Sequence, residues 1–492
     1  MSDQGSNYRQ IVKATSIFGG VQLIQIIVQI VRSKIIAVLL GPAGMGINSL
    51  FISTLQLIGG ITNFGLKSSA VKNVAEANGS GNETRVSVII RVLRRWVWIT
   101  GFFGVILTVF LSSWLSKITF GNTDYRLAII WLSISLLFNQ LSDGQLVVLQ
   151  GLRKIKYLAN ANLTGSFLGL FISLPLYYFF EIDGIVPAII ITSIANMVRS
   201  WYFARKVKIE EINISWKTTV SEGKDMLTMG FLLSVSGLMV MGGAYLLRIF
   251  ISNHGGIDQV GLYSAGFAIV NTYVGMIFTA MATDYYPRLS AVAYDNAKAT
   301  KSINQQAEIT ILIIAPILCI FIIFINWAIV LLYSSKFLAV NEMIQWAAIG
   351  IFFKSVSWCI GFIFLAKGAS KIFFLNELFS NIYFLGLNIL GYSILGLSGL
   401  GISFVIAFLL HFIQIYFVAR VKYQFFLERK FILIYSIQLL IGVLCFCIAY
   451  FCSKQTSYIL GSFIIVLSSL YSLVELNKRI DIKLIIGKLF NK

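Results

Sequence analysis

The chain has 492 residues, of which 58% are hydrophobic and only 12% are charged. A water-soluble chain of this length carries roughly 25% charged residues, so the composition excludes a soluble globular protein. The formal net charge of +19 does not indicate nucleic-acid binding, because the basic residues occur in short groups between long apolar stretches.

Long apolar stretches recur along the chain, and each is long enough to cross a bilayer as an α-helix. The first is too long for the core of a signal peptide, so we expect it to be retained as a helix. In chain order, the fourteen predicted helices cover residues 12–40, 47–66, 88–112, 127–149, 158–180, 184–204, 226–252, 261–283, 307–333, 340–366, 372–395, 399–419, 431–452 and 457–476.

The basic residues between these helices predict the orientation of the chain. Alternate gaps, together with both termini, carry 31 of the 39 Lys and Arg residues, and Arg199 is counted among them. The other gaps carry Lys117, Arg126, Lys336 and Lys454. Since Lys and Arg accumulate on the cytoplasmic side, we predict that both termini are cytoplasmic and that the gaps at 113–126 and 252–260 are periplasmic.

The two halves of the chain resemble each other at an offset of about 215 residues. WYFARKVK at 201–208 matches IYFVARVK at 415–422. Because the repeated unit has six helices, both copies enter the membrane from the same side, and we expect two parallel lobes around a central cavity. The predicted domains are a first lobe (1–208), a cytoplasmic linker (209–225), a second lobe (226–422) and two additional helices with a cytoplasmic tail (423–492).

Four basic residues fall inside predicted helices, namely Arg32, Lys34, Arg248 and Lys354. A cation in hydrocarbon costs at least ~2.5 kcal/mol on insertion scales, so these residues should face a watery cavity or a partner. Arg binds phosphate through paired N–H donors and Lys supplies a point charge, so we predict a substrate site for an anion such as a lipid pyrophosphate. The alternative is that Arg32, Lys34 and Arg248 extend to the periplasmic interface.

Other polar residues have weaker assignments. Asn63 and Asn139 are candidates for hydrogen bonds to sugars, although polar residues also hold membrane helices together. Asp143 and Glu377 are candidate coupling-ion contacts, and an interfacial or helix-packing role is the favoured interpretation for both. With two His and five Cys residues and no ligand-spaced pair, the sequence predicts no metal, no cofactor and no catalytic residue.

Several segments carry a family resemblance: SKIIAVLLGPAGMG at 33–46, FGNTDY at 120–125, AYLLR at 244–248, and SSKF, WAAIGIFFKS and FIFLAKGASKIFFLNE within 334–377. They resemble the Wzx-type flippases for O-antigen and other lipid-linked oligosaccharides, within the multidrug/oligosaccharidyl-lipid/polysaccharide exporter superfamily. The branch that contains the lipid III flippase is the most similar. By position, Lys34, Arg248 and Lys354 match basic residues of that pattern, and Arg32 is matched less clearly.

The resemblance implies alternating-access transport of an undecaprenyl-pyrophosphate-linked glycan across the bacterial inner membrane, coupled to a proton or sodium gradient. The expected partners are the glycan lipid, the coupling ion, membrane lipid and other polysaccharide-assembly membrane proteins. Two alternatives stay open: a flippase for lipid II, the peptidoglycan precursor, which would also have fourteen helices, and a multidrug or cation antiporter. An enzyme such as a glycosyltransferase is not expected, because every predicted periplasmic gap is short.

Overall fold

The structure is a computed structural model that describes residues 2–479. It describes the side chains of this range except those of residues 2–19, 232–233, 273 and 283. Throughout the described residues, every regular element is a helix and no strand is formed. A membrane-spanning helix satisfies its backbone hydrogen bonds within one segment, which suits a chain this apolar. The predicted all-α fold is confirmed.

The described chain packs as two units, and the first ends at Gly261. Its helices are α1 (Ser2–Leu39), α2 (Gly41–Thr62), α3 (Leu66–Gly79), α4 (Glu83–Phe120), α5 (Arg126–Gly151), α6 (Ile155–Phe180), α7 (Ile185–Arg205) and α8 (Trp216–Gly255). A 3₁₀ turn, Glu181–Gly184, joins α6 to α7. Asn63 accepts a hydrogen bond from the Gly65 N–H at 2.7 Å, where the chain turns from α2 into α3.

The second unit begins at Leu262, so the division falls within α9 (Ile257–Ala268). A π-helical turn, Ile269–Val274, leads from α9 into the next helix. The remaining helices are α10 (Gly275–Val292), α11 (Asn296–Leu332), α12 (Asn341–Ala366), α13 (Ser370–Tyr423), α14 (Arg429–Phe451) and α15 (Lys454–Asn477), with a 3₁₀ turn at Ser335–Val340.

The helix count agrees with fourteen membrane crossings. Twelve stretches of the described residues are long and apolar enough to cross a membrane, and two of them, Ile155–Arg205 and Ser370–Tyr423, hold 51 and 54 residues. At 1.5 Å per residue, 54 residues would measure about 80 Å, far more than the ~30 Å hydrocarbon core. The first stretch contains both α6 and α7, and α13 is broken at Gly396, so each provides two crossings.

Glycine makes the break in α13 possible. Gly396 has φ +60° and ψ −137°, a backbone conformation that residues with a Cβ rarely adopt. On either side of it, the two halves of α13 pack closely, because a Cβ at Gly399 would lie 1.9 Å from the carbonyl oxygen of Gly391. Small residues at a contact let two membrane helices approach in this way. A single long helical stretch therefore folds back as a pair.

Polar residues at helix starts explain several boundaries outside the apolar stretches. Asn82, Ser215, Asp295 and Ser453 each accept a hydrogen bond from a backbone N–H in the first turn of the helix that follows, at 2.9–3.3 Å. This is the usual role of an N-cap residue, and it is worth about 1 kcal/mol. The caps fix where α4, α8, α11 and α15 begin.

Large apolar side chains are exposed to the surroundings in both units. Phe110 is 85% exposed, Leu331 76% and Phe451 78%. Large apolar side chains exposed to this degree are a liability in water and are normal for a protein surrounded by lipid. The chain is therefore a multi-pass membrane protein. The lobe boundaries at 1–208 and 226–422 rest on the internal sequence match and stay a prediction.

Candidate functional site

A polar cavity lies within the first unit, and we call it the first cavity. Its volume is about 790 Å³, which is within the range of ordinary ligand pockets. It is lined by helices α1, α2, α5, α6 and α7, with one residue each from α3 and α8. Its charged and amide side chains are Gln25, Arg32, Gln56, Asn63, Lys67, Asn139, Gln140, Asp143, Asn162, Asn196 and Arg199.

Positive charge predominates among the residues that line the first cavity. Three of them are cations, Arg32, Lys67 and Arg199, and one is a carboxylate, Asp143. Lys67 Nζ lies 2.9 Å from Asp143 Oδ1, so these two charges form an ion pair that joins α3 to α5. The two guanidinium groups therefore account for the excess charge of the cavity.

The two arginines lie against glycines of α6. A Cβ at Gly165 would lie 1.4 Å from Arg199 Nη1, and a Cβ at Gly169 would lie 3.9 Å from Arg32 Nη1. Gly165 and Gly169 are four residues apart, so they share one face of the helix. The Nε atom of Arg32 and the Nε and Nη1 atoms of Arg199 are buried and have no hydrogen-bond partner.

The amide side chains of the first cavity are tied to the helices around them. Gln25 Nε2 donates to Ser166 Oγ at 3.3 Å, and Gln140 Nε2 donates to Thr100 Oγ1 at 3.0 Å. These contacts hold polar groups toward the space enclosed by α1, α5 and α6. The arrangement offers hydrogen bonds to a polyhydroxylated ligand and charge-assisted hydrogen bonds to an anion.

A smaller cavity lies within the second unit, and we call it the second cavity. Its volume is about 210 Å³, and Lys354, Glu377 and His411 are among its lining residues. Lys354 Nζ donates to Asn271 Oδ1 at 3.3 Å, and Asn271 belongs to the π-helical turn. In the part of the chain that the structure describes, neither Lys354 nor Glu377 takes part in an ion pair.

Aromatic rings surround the Lys354 ammonium group. Its Nζ lies 5.3 Å from the ring centroid of Phe408, 5.9 Å from that of Phe278 and 6.0 Å from that of Phe404. Cation–π contacts of this kind are worth about 2 kcal/mol when they are desolvated. They offset part of the cost of placing a cation inside an apolar helix.

Two of the predicted cations are not among the lining residues of these cavities. Arg248 Nε donates to Ser49 Oγ at 3.1 Å, and its Nη1 donates to the Ala244 carbonyl at 3.0 Å. Lys34 is half-buried and also interacts within the protein. The structure thus brings Arg32, Asn63, Asn139 and Asp143 together in the first cavity and places Lys354 with Glu377 in the second, while Lys34 and Arg248 lie elsewhere.

Arg199 and His411 were missed by the sequence analysis. Arg199 was counted with the cytoplasmic residues because it lies near the end of its helix, although α7 continues to Arg205. The signal that could have identified it is a polar stripe on α7, since Thr192, Asn196 and Arg199 recur at helical spacing and all line the first cavity. For His411, which is half-buried and whose Nδ1 atom is buried without a hydrogen-bond partner, no sequence signal was available.

Comparison with known proteins gives the family. The family described as polysaccharide biosynthesis protein matches residues 35–342, more than half of the chain. The chain belongs to this family. The lipid III flippase of Escherichia coli (strain K12) is 22% identical over 369 residues, which cover 72% of this chain and 85% of that protein.

Two solved structures share the fold of this polysaccharide biosynthesis family member. An inward-facing multidrug resistance MATE family transporter of the MOP superfamily matches with a TM-score of 0.69 at 15% identity, over 81% of this chain and 94% of that one. The lipid II flippase MurJ, in an inward closed conformation, matches with a TM-score of 0.68 at 13% identity, over 95% of this chain and 99% of that one.

These relatives confirm the predicted class, a membrane transporter rather than an enzyme. They leave the substrate and the coupling ion of this chain as proposals.

Among the described residues, no group of three or more His, Cys, Asp or Glu side chains is placed to hold a metal ion.

Proposed function

We propose that this protein is a flippase that moves an undecaprenyl-pyrophosphate-linked oligosaccharide from the cytoplasmic to the periplasmic leaflet of the bacterial inner membrane. Transport proceeds by alternating access and is driven by a proton or sodium gradient, with both termini in the cytoplasm. The observation that carries the proposal is the first cavity, where three cations and one carboxylate lie among side-chain amides inside a membrane protein.

The charge of this cavity favours an anionic passenger. A buried guanidinium N–H without a partner costs about 1–3 kcal/mol or more, and an anion that enters the cavity recovers that free energy. In this proposal, Arg32 in the first cavity holds the pyrophosphate group, and Asn63 and Asn139 form hydrogen bonds to sugars. Lys34, Arg248 and Lys354 lie outside this cavity and stay candidate contacts for the anion. Asp143 and Glu377 are the candidate contacts for the coupling ion.

The same charge disfavours the multidrug alternative. A cationic drug would meet like charge at Arg32 and Arg199, because the carboxylate of Asp143 is already paired with Lys67. The lipid II alternative has the same anionic pyrophosphate, so charge does not separate it from the proposed substrate. The sugar part of the passenger has to make that distinction.

A reconstituted transport assay tests the proposal directly. The purified protein is placed in proteoliposomes, and translocation is compared for an undecaprenyl-pyrophosphate-linked oligosaccharide, for lipid II and for a cationic dye, with and without an imposed proton or sodium gradient. We expect gradient-dependent movement of the oligosaccharide lipid. Movement of lipid II alone, or of the dye alone, would reject the proposed substrate, and protein-free liposomes provide the background rate.

A further inference from the structure

The structure assigns a role to Arg199, which the sequence analysis left among the cytoplasmic residues. We infer that Arg199 and Arg32, resting on Gly165 and Gly169 of α6, form an oxyanion receptor inside the first cavity that binds a phosphate or carboxylate group on the passenger's head group. This inference rests on the proposed function, since it names the part of the passenger that this cavity recognises.

The position of Arg199 depends on a residue without a side chain. A Cβ at Gly165 would lie 1.4 Å from Nη1, 2.0 Å from Cζ and 2.1 Å from Nη2 of Arg199, so the guanidinium occupies the space that any other residue would fill. Arg199 is on α7 and Gly165 is on α6, so the glycine fixes the guanidinium on the wall of the cavity. Any substitution at Gly165 would have to displace it.

The hydrogen-bonding state of the two guanidiniums points to a ligand. Arg199 has two buried guanidinium nitrogens without a partner and Arg32 has one, while the carboxylate that lines the cavity, Asp143, is engaged by Lys67 at 2.9 Å. Buried polar groups in folded proteins are almost always hydrogen-bonded, so an unpartnered one calls for an explanation. A planar guanidinium matches a carboxylate or phosphate with parallel N–H donors, and an oxyanion satisfies both charge and geometry.

The remaining lining residues suit the rest of a sugar head group. Side-chain amides from α1, α2, α5, α6 and α7 surround the arginines, among them Gln25, Gln56 and Asn196. Amides both donate and accept hydrogen bonds, as sugar hydroxyls do. An oxyanion flanked by hydroxyl groups is found in a sugar phosphate or pyrophosphate and also in an acidic sugar, so the shared chemistry is that of an anionic glycan.

Binding to the full-length protein tests the receptor. The protein is purified in detergent, and isothermal titration calorimetry measures the affinity for inorganic pyrophosphate, for galacturonate and for galactose as the uncharged control. The variants are Arg199→Gln, Arg199→Lys and Gly165→Ala, with Arg205→Gln as the matched control because Arg205 is an exposed cation on the same helix.

We expect the wild type to bind at least one of the two anions and to bind galactose more weakly. Arg199→Gln should weaken anion binding about tenfold or more, the loss typical of one charge-assisted hydrogen-bonded pair. Arg199→Lys should also weaken it, because the charge stays while the paired donors are lost. Gly165→Ala should weaken it without removing any charge, and Arg205→Gln should leave it unchanged.

The two anions identify the source of the oxyanion. A preference for pyrophosphate indicates the lipid's pyrophosphate group, and a preference for galacturonate indicates an acidic sugar. The inference is overturned if the wild type binds neither anion, or if Arg199→Gln and Arg199→Lys bind as the wild type does. Thermal unfolding of each variant excludes misfolding as the cause of a lost signal, and the wild-type titration stands even where a variant does not fold.

Failure of the receptor and failure of the proposed function give different results. If the wild type binds an anion through Arg199 but moves no oligosaccharide lipid in proteoliposomes, the flippase proposal fails and the receptor stands. If transport is normal in Arg199→Gln, the flippase proposal stands and the receptor is not part of the transport route.

Discussion

The ion-pair network at the end of α15 provides a test of how the last two helices are held. Arg479 follows α15, and its Nε lies 2.5 Å from Glu308 Oε2 on α11, while its Nη1 lies 2.7 Å from Glu475 Oε2. Glu308 is only 7% exposed. The side chain of Arg479 is therefore the partner that keeps an otherwise buried carboxylate satisfied.

The Arg479→Ala variant should destabilise the protein substantially. Removing one partner of a buried ion pair costs about 3–5 kcal/mol, because the other charge is stranded. We expect about 3 kcal/mol, the lower end, since the Arg479 side chain is itself 22% exposed. Lys478→Ala is the matched control: Lys478 contacts Glu475 at 2.6 Å but is 62% exposed, and exposed pairs are worth less than about 1 kcal/mol.

A second substitution separates the stranded charge from the lost contact. Glu308→Gln introduced into Arg479→Ala replaces the buried carboxylate with a neutral amide, and it should recover about 1 kcal/mol or more of the lost stability. The free energy of unfolding is measured by titration with denaturing detergent, followed by tryptophan fluorescence. If Arg479→Ala is no less stable than Lys478→Ala, the ion pair does not hold α15 to α11.

Three further predictions address the cavity, the orientation and an ion pair. In proteoliposomes, Arg32→Gln should reduce transport of the oligosaccharide lipid more than Arg248→Gln does, because Arg248 already donates hydrogen bonds to Ser49 and Ala244. Lys117→Ala is the control and should leave transport unchanged. In a cysteine-free background, Asp124→Cys should react with a membrane-impermeant maleimide on intact cells, and Lys301→Cys should react only after permeabilisation; the opposite pattern would refute the orientation. The Arg85 guanidinium hydrogen-bonds Glu222 and lowers the pKa of that carboxyl group. The pair therefore stabilises the protein above the unfolded pKa of about 4.3, and this stabilisation is lost as the pH falls through the depressed folded pKa. Glu222→Gln should cost under about 1 kcal/mol in the free energy of unfolding at pH 7, and the cost should shrink as the pH is lowered through the folded pKa.

The helices were predictable from the sequence because the thickness of the bilayer sets the length of an apolar stretch. Helix ends were less predictable, since hydropathy marks the hydrocarbon region rather than the end of a helix. We predicted the second helix from about residue 47, but α2 begins at Gly41, where a positive φ is followed at once by Pro42 in the first turn. Likewise, α8 begins at Trp216 after its cap, Ser215, ten residues before the predicted start at 226.

The site was predictable in part. Arg32 was identified because a cation within an apolar helix is costly, and that argument needs no knowledge of the fold. The convergence of Arg32 with Asn63, Asn139 and Asp143 in one cavity could not be predicted, since it depends on how α1, α2 and α5 pack. Arg199 was missed because it lies close to the cytoplasmic end of its predicted helix, so the sorting of charges by side of the membrane assigned it to the gap that follows.

The predicted intramembrane cations differ in how their charge is compensated, and this difference bears on function. Three aromatic rings and Asn271 surround Lys354, and neutral oxygens accept hydrogen bonds from Arg248. Arg32 keeps a buried donor without a partner, as Arg199 does twice. A side chain retained for packing alone could be a leucine or a glutamine at lower cost, so two incompletely satisfied guanidiniums in one cavity are favourable only when an anion occupies it. The first cavity is therefore where the proposed anionic passenger would gain the most free energy on binding.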